Sequence, residues 1–272
     1  MTLHDDDLAH FEAVGTPLLP EPAEHGRVEH EAAHIRYATF GSGMPVVLLH
    51  GGLGHSGNWS HQVPALVAEG YRVITIDTRG HGRSTCDQRP FRYELLASDV
   101  IAVLDRLAVQ AAALVGWSDG AIIALIVAMQ APLRISGVVF FACAMDPSGL
   151  KPLDRPLPTL ERAYRRHAQD YRELSATPEQ FEQFAAAVQT MMETEPNYSA
   201  DQLAQIETQV FVVRSRDDEF IKPEHADYLV RTMPHARLVE LEGVTHFAPL
   251  QRPHQFNTIL LSCLGAFGQA RG

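Results

Sequence analysis

Three residues of this chain could together carry out acyl transfer: Ser118, Asp218 and His246. A serine hydroxyl is a poor nucleophile at neutral pH because its proton must leave as it attacks. An imidazole can take that proton, and a carboxylate behind the imidazole fixes its tautomer and stabilises the imidazolium. The three occur in the order serine, acid, histidine, and each stands just past a run that reads as a strand. Ser118 is the centre of Gly116-Trp117-Ser118-Asp119-Gly120, between the apolar run 111–115 and the apolar helical pattern 121–128. A strand-to-helix turn this tight needs small residues two positions to either side of the serine.

The acid has two rivals. Asp217 adjoins Asp218, and Asp146 follows an earlier strand pattern. Among 14 histidines, His246 stands apart because it follows the last strand pattern in a glycine-led loop, Gly243-Val244-Thr245-His246-Phe247. His50 and His81 are expected to brace their turns by hydrogen bonding. The spacing of His50, His55, His61 and His81 fits no metal-ligand template, so no metal is expected, and the chemistry calls for no cofactor. The oxyanion of a tetrahedral intermediate needs donors. The backbone amide of Asp119 is one candidate, and the second is expected from the loop His50-Gly51-Gly52-Leu53-Gly54, at Gly52 with Leu53 as the alternate. Leu53, Asp119, Phe220 and Phe247, beside these groups in the chain, are the expected substrate contacts.

The elements that must hold these residues follow from periodicity. Residues 45–49, 72–77, 111–115, 135–142 and 209–213 are near-continuous apolar runs, the mark of strands covered on both faces. Helical patterns lie between them, at 59–68, 93–107 and 121–129. Such alternation predicts an α/β fold, a doubly wound and mostly parallel sheet with right-handed crossovers. Ligand sites on such sheets lie at the carboxyl edge, where Ser118, Asp218 and His246 all fall. The alternation breaks at 146–207, which has six prolines before residue 197 and helical segments at about 157–174, 178–193 and 200–206. A loop of this length is not expected inside such an array. It reads as a helical cap over the sheet edge, in which Met191 and Met192 are either ordinary cap core or pocket lining. The organisation expected is an extension over 1–26 with a short helix near 8–14, a core of 27–145 and 208–272, and a cap of 146–207.

Composition narrows the partners. The 272 residues carry a net charge of -11, with 33 acidic against 22 basic side chains and no Lys/Arg block. A nucleic acid or an anionic membrane surface would be repelled, which leaves a small molecule as the expected partner. Three isolated cysteines, an acidic amino-terminal stretch where a signal peptide is basic and then apolar, and the absence of a spanning apolar run fit a cytoplasmic protein. Oligomeric state has no signature in the sequence.

From 27 to 267 the chain resembles the α/β-hydrolase superfamily, with about eight strands and a cap after the sixth. The resemblance rests on Leu49-His50-Gly51-Gly52, Asp77-x-Arg79-Gly80-x-Gly82-x-Ser84, the pentapeptide at Ser118, Asp218-Glu219-Phe220-Ile221-x-Pro223 and Gly243-x-x-His246-Phe247. Where family members commonly show Gly-x-x-Asp before the acid, this chain has Ser215-Arg216-Asp217-Asp218. A serine at the turn implies a serine hydrolase, and disfavours the dehalogenases and epoxide hydrolases that use an aspartate there. The implied activity is cleavage of a carboxylic ester or lactone through an acyl-enzyme. Carbon–carbon bond hydrolysis is the alternative, and a ligand-binding protein that has lost turnover a remoter one. The Gly-Trp-Ser-Asp-Gly variant is similar to that of amino-acid ester hydrolases such as valacyclovir hydrolase, in which the aspartate after the serine is associated with receiving a substrate amine.

Overall fold

Apolar runs become the middle of the sheet. The computed structural model describes residues 6–152 and 157–269. In chain order the described elements are α1 (Asp6–Val14), β1 (Glu24–His30), β2 (Ala33–Phe40), β3 (Met44–Leu49), α2 (Gln62–Ala68), β4 (Tyr71–Ile76), α3 (Tyr93–Arg106), β5 (Ala112–Trp117), α4 (Asp119–Gln130) and β6 (Ile135–Phe141). They continue with α5 (Pro158–Leu174), α6 (Phe181–Thr194), α7 (Ala200–Leu203), β7 (Val210–Ser215), α8 (Pro223–Thr232), β8 (Ala236–Leu241), α9 (Ala248–Gln251) and α10 (Pro253–Gln269).

The eight strands form one sheet in the order β1-β2-β4-β3-β5-β6-β7-β8. β1 pairs antiparallel with β2, and β2 with β4, while β4, β3, β5, β6, β7 and β8 run parallel. β5 is buried at all six positions, as a central strand covered on both faces must be. The outer strands β1 and β8 instead carry exposed polar residues, which blunts the free edges. Two apolar clusters fill the two faces. One gathers Ile74, Leu114 and Phe140 with α3 and α4. The other gathers Val46, Val115 and Phe141 with Trp59 and α10. Helix α4 is buried from Asp119 to Ala128, which is why its sequence is apolar all round rather than striped.

From β3 the chain passes through α2 to β4 on one side, then crosses back through α3 to β5 on the other. The loops after β3 and β5 therefore leave the sheet next to each other at a switch in strand order, the place where a crevice opens. Between β6 and β7 the chain builds a helical insertion of α5, α6 and α7. Its first residues are stitched to the loop after β7 by an antiparallel bridge between Leu150 and Ile221. Tyr171, Phe181, Phe184 and Val188 give the insertion a small core of its own. Helix α1 packs on α5, with Leu8 and Phe11 buried.

Two local expectations change. The helix expected from Trp59 breaks: Ser56–Trp59 is a 3-10 turn closed by a reciprocal cap between His55 and Asn58, and α2 starts only at Gln62. The first strand starts at Glu24, inside the stretch read as an extension, because its ladder with β2 continues to Thr39.

Candidate active site

Ser118 sits where β5 becomes α4, with φ 55° and ψ −125°, in the left-handed region that a non-glycine residue occupies at a cost of about 1–3 kcal/mol. Its amide continues the ladder to the Phe141 carbonyl at 2.9 Å, and its carbonyl accepts from Ala121 at 2.7 Å to start α4. The flanking glycines let the strand and helix touch. A Cβ on Gly116 would lie 2.2 Å from the Gly120 carbonyl oxygen, and one on Gly120 would lie 2.1 Å from that of Leu49. Both obstacles are backbone and cannot swing aside.

Asp218 and His246 come together from the loops after β7 and β8. His246 Nδ1 lies 3.0 Å from Asp218 Oδ2, while Asp218 Oδ1 accepts from the amides of Phe220 at 2.8 Å and Ile221 at 3.0 Å. Burial would raise the Asp218 pKa, but His246 and the two amides outweigh it and hold the group ionised below the ordinary value. An ionised acid accepts, so Nδ1 carries the proton and Nε2 is left as the acceptor. The His246 backbone is fixed from two sides: Trp117 Nε1 donates to its carbonyl at 2.9 Å, and its amide donates to Glu219 Oε2 at 3.0 Å. Neither rival acid reaches the imidazole in this way. Asp217 is exposed, and Asp146 accepts from the Ser148 amide at 2.8 Å and faces His225.

Ser118 and His246 line one cavity of about 1060 Å³, bounded below by the loop 51–54, Tyr93 and Asp119. Leu53, Phe220 and Phe247 also line it, so of the residues expected to react or to touch substrate all but Asp218, which is buried behind His246, border this one space. Its roof is the insertion, through Ala163, Tyr164, His167, Ala185, Val188 and Met192. Met192 thus faces the cavity, whereas Met191 is buried in the main core. Gly52 approaches the residue after the serine closely: a Cβ there would stand 2.7 Å from Asp119 Oδ2. Leu53 holds a left-handed φ of 62°, which turns this loop sharply beside the cavity.

Asp119 is buried. Its Oδ1 accepts from the Tyr93 hydroxyl at 3.0 Å, and its Oδ2 has no hydrogen-bond partner. Burial pushes its pKa up to about 6, against the opposing pull of Tyr93 and His246. His50 and His81 take bracing positions. His50 Nδ1 meets the Gly51 carbonyl at 2.8 Å and Nε2 accepts from the Thr78 amide at 3.1 Å, while His81 Nδ1 meets the Arg79 carbonyl at 2.9 Å. Among the described residues, no three His, Cys, Asp or Glu side chains are grouped to hold a metal ion, and no helix is long and apolar enough to cross a membrane.

Four residues that bear on the site are not among those the sequence reading assigned to it. Tyr93, Asn58 and His167 reach the cavity from α3, the 3-10 turn and α5, and Glu219 reaches the His246 backbone. Only Glu219 had a clue, its adjacency to the acid.

A sequence model of the Alpha/beta hydrolase family matches residues 46–259. Rhodomycin D methylesterase DnrP of Streptomyces peucetius is 30% identical over 255 residues, covering 76% of this chain and 86% of that protein. Epoxide hydrolase B of Mycobacterium tuberculosis is 44% identical over 99 residues, but the match spans 36% of this chain and 28% of that enzyme. Among solved structures, Est816, described as an N-acyl homoserine lactone degrading enzyme, aligns with a TM-score of 0.68 at 27% identity, covering 87% of this chain and 99% of that one.

Proposed function

The chain belongs to the alpha/beta hydrolase family, and on that premise we propose that it cleaves a carboxylic ester or lactone of a small molecule through an acyl-enzyme on Ser118. The observation that carries this reading is the Asp218–His246 hydrogen bond of 3.0 Å, presented to the cavity that Ser118 lines from its strained turn. Ser118 Oγ attacks the carbonyl carbon as His246 Nε2 takes its proton. The oxyanion accepts from the amides of Asp119 and Gly52, with Leu53 as the neighbouring donor. Removing one such donor typically costs about 2.7–4 kcal/mol of barrier. His246 then returns the proton to the leaving alkoxide, and water repeats the sequence to free the acid. Asp218 holds the imidazole tautomer throughout. Leu53, Phe220 and Phe247 supply apolar contact, and the unpaired Asp119 Oδ2 is the anchor for a donor on the substrate. The segment 146–207 acts as a cap that closes the chamber. The likeness to a methylesterase over most of both chains supports the ester as the bond cleaved.

The test is fluorophosphonate labelling read by intact mass, together with p-nitrophenyl acetate turnover, in the unsubstituted chain and in Ser118→Ala. A single adduct and steady turnover, both lost in Ser118→Ala, are expected. A Ser118→Ala protein that still labels and still turns over overturns the reading. Silence on a panel of short esters and lactones, with cleavage of a dienoic ketone, moves it to carbon–carbon hydrolysis.

A further inference from the structure

We infer that the cavity contains a polar subsite, formed by Asn58 and His167, that takes a neutral hydroxyl group of the substrate. This rests on the hydrolase reading only in that the hydroxyl belongs to the molecule being cleaved. Both side chains line the cavity, whose other walls are largely apolar. Asn58 is fully buried, and its Oδ1 accepts from the His55 amide at 2.9 Å, which fixes the amide so that Nδ2 is the free end. That Nδ2 is buried without a partner. His167, 6% exposed, likewise has a buried Nδ1 with no partner. Burial holds its pKa down at about 4, with nearby His55 and His50 adding to the effect, so the ring is neutral and carries one donor and one acceptor. A buried polar group left unpaired is costly, and native proteins rarely tolerate it twice in one chamber without a ligand or water to answer it.

His55 ties the two together. Its amide bonds Asn58, and its Nε2 lies 3.4 Å from Asp170, three residues beyond His167 and on the same side of α5. The free groups then define what fits. Asn58 Nδ2 can only donate, so an ammonium would face a donor it has no lone pair to answer. A carboxylate would need a cation, yet Lys151 is bonded to the Asp218 carbonyl and Arg165 to Glu12. A hydroxyl satisfies both sides, accepting from Asn58 and meeting His167 as donor or acceptor whichever ring nitrogen holds the proton.

The competing occupant is a buried water, which needs the same kind of polar partners. Calorimetry on Ser118→Ala separates the two, with methyl hexanoate compared against its 2-, 3-, 5- and 6-hydroxy derivatives. At least one hydroxylated ester is expected to bind about 10-fold more tightly than its parent. That preference should collapse toward unity in Ser118→Ala proteins that also carry His167→Phe or Asn58→Ala, the first of which leaves the Asn58 cap of the 3-10 turn intact. A series in which no hydroxylated ester outbinds the parent, or a preference that survives both substitutions, overturns the subsite. Turnover of methyl hexanoate by the unsubstituted chain is read in parallel: its absence counts against the ester reading, while the binding ratio alone judges the subsite.

Discussion

Burial alone would depress the proton affinity of His246, but Asp218, Glu219 and Asp119 act against it and raise its pKa above the ordinary 6.5. In the proposed mechanism His246 acts only when neutral, so kcat/KM for p-nitrophenyl acetate should rise along an acid limb centred above pH 6.5. Asp218→Asn removes the leading opponent of burial. The limb should then move to lower pH and kcat should fall about 10³–10⁴-fold, since the wrong tautomer is no longer penalised. A pH–rate profile on both proteins checks this, and an Asp218→Asn enzyme within tenfold of the original would refute the assignment. Ser118, Asp218 and His246 were legible in the sequence because each follows a strand pattern and sits in a short motif with its own geometric reason. Asn58, Tyr93 and His167 were not, because nothing near them in the chain encodes what they meet. The 3-10 turn, α3 and α5, distant from one another in the chain, bring these three to the cavity.

Among the elements of the insertion, α5 is tied to the loop after β3 and to α1. Arg166 Nε donates to Asp170 Oδ1 at 2.8 Å, the other Asp170 oxygen faces His55 at 3.4 Å, and the guanidinium packs on Gly15 at the end of α1. His55 Nδ1 accepts from the Gly57 amide at 3.1 Å, so its Nε2 is the proton-bearing side turned to Asp170. One carboxylate thereby joins the insertion to the loop after β3. Asp170→Ala leaves Arg166 buried with only Glu173 at 3.8 Å, and should lower unfolding free energy by about 3 kcal/mol in urea titration. A loss well under 1 kcal/mol would make the pair a bystander. The sequence disclosed the strands and long helices because their apolar periodicity persists over several residues. It did not disclose the break at Ser60 and His61. The His55–Asn58 cap that causes the break stabilises a 3-10 turn within an otherwise helical pattern.

For the molecule as a whole, buried neutral imidazoles set the acid limit. Burial lowers His50 and His167 to about 4 and His81 to about 3, all from an ordinary 6.5. As pH falls below 6.5 the unfolded chain takes protons that the folded chain refuses, so stability drops, by on the order of 3 kcal/mol for each of His50 and His167 by pH 4. Asp119, raised to about 6, and His246, raised above 6.5, work the other way, because the folded state protonates first, but these two do not offset three imidazoles. The urea midpoint should therefore be lower at pH 5 than at pH 7, and an equal or higher midpoint at pH 5 would contradict this balance. The contact of β5 with α4 through Gly116 and Gly120 has a different kind of consequence, for divergence. Any side chain at either position strikes backbone, so mutational drift cannot explore the immediate surroundings of Ser118. Tyr164 and Met192, which line the cavity from α5 and α6, are only partly buried and are packed by side chains, which can adjust to a change. New substrates are thus reached by rewriting one segment, while the turn that carries the serine is inherited whole.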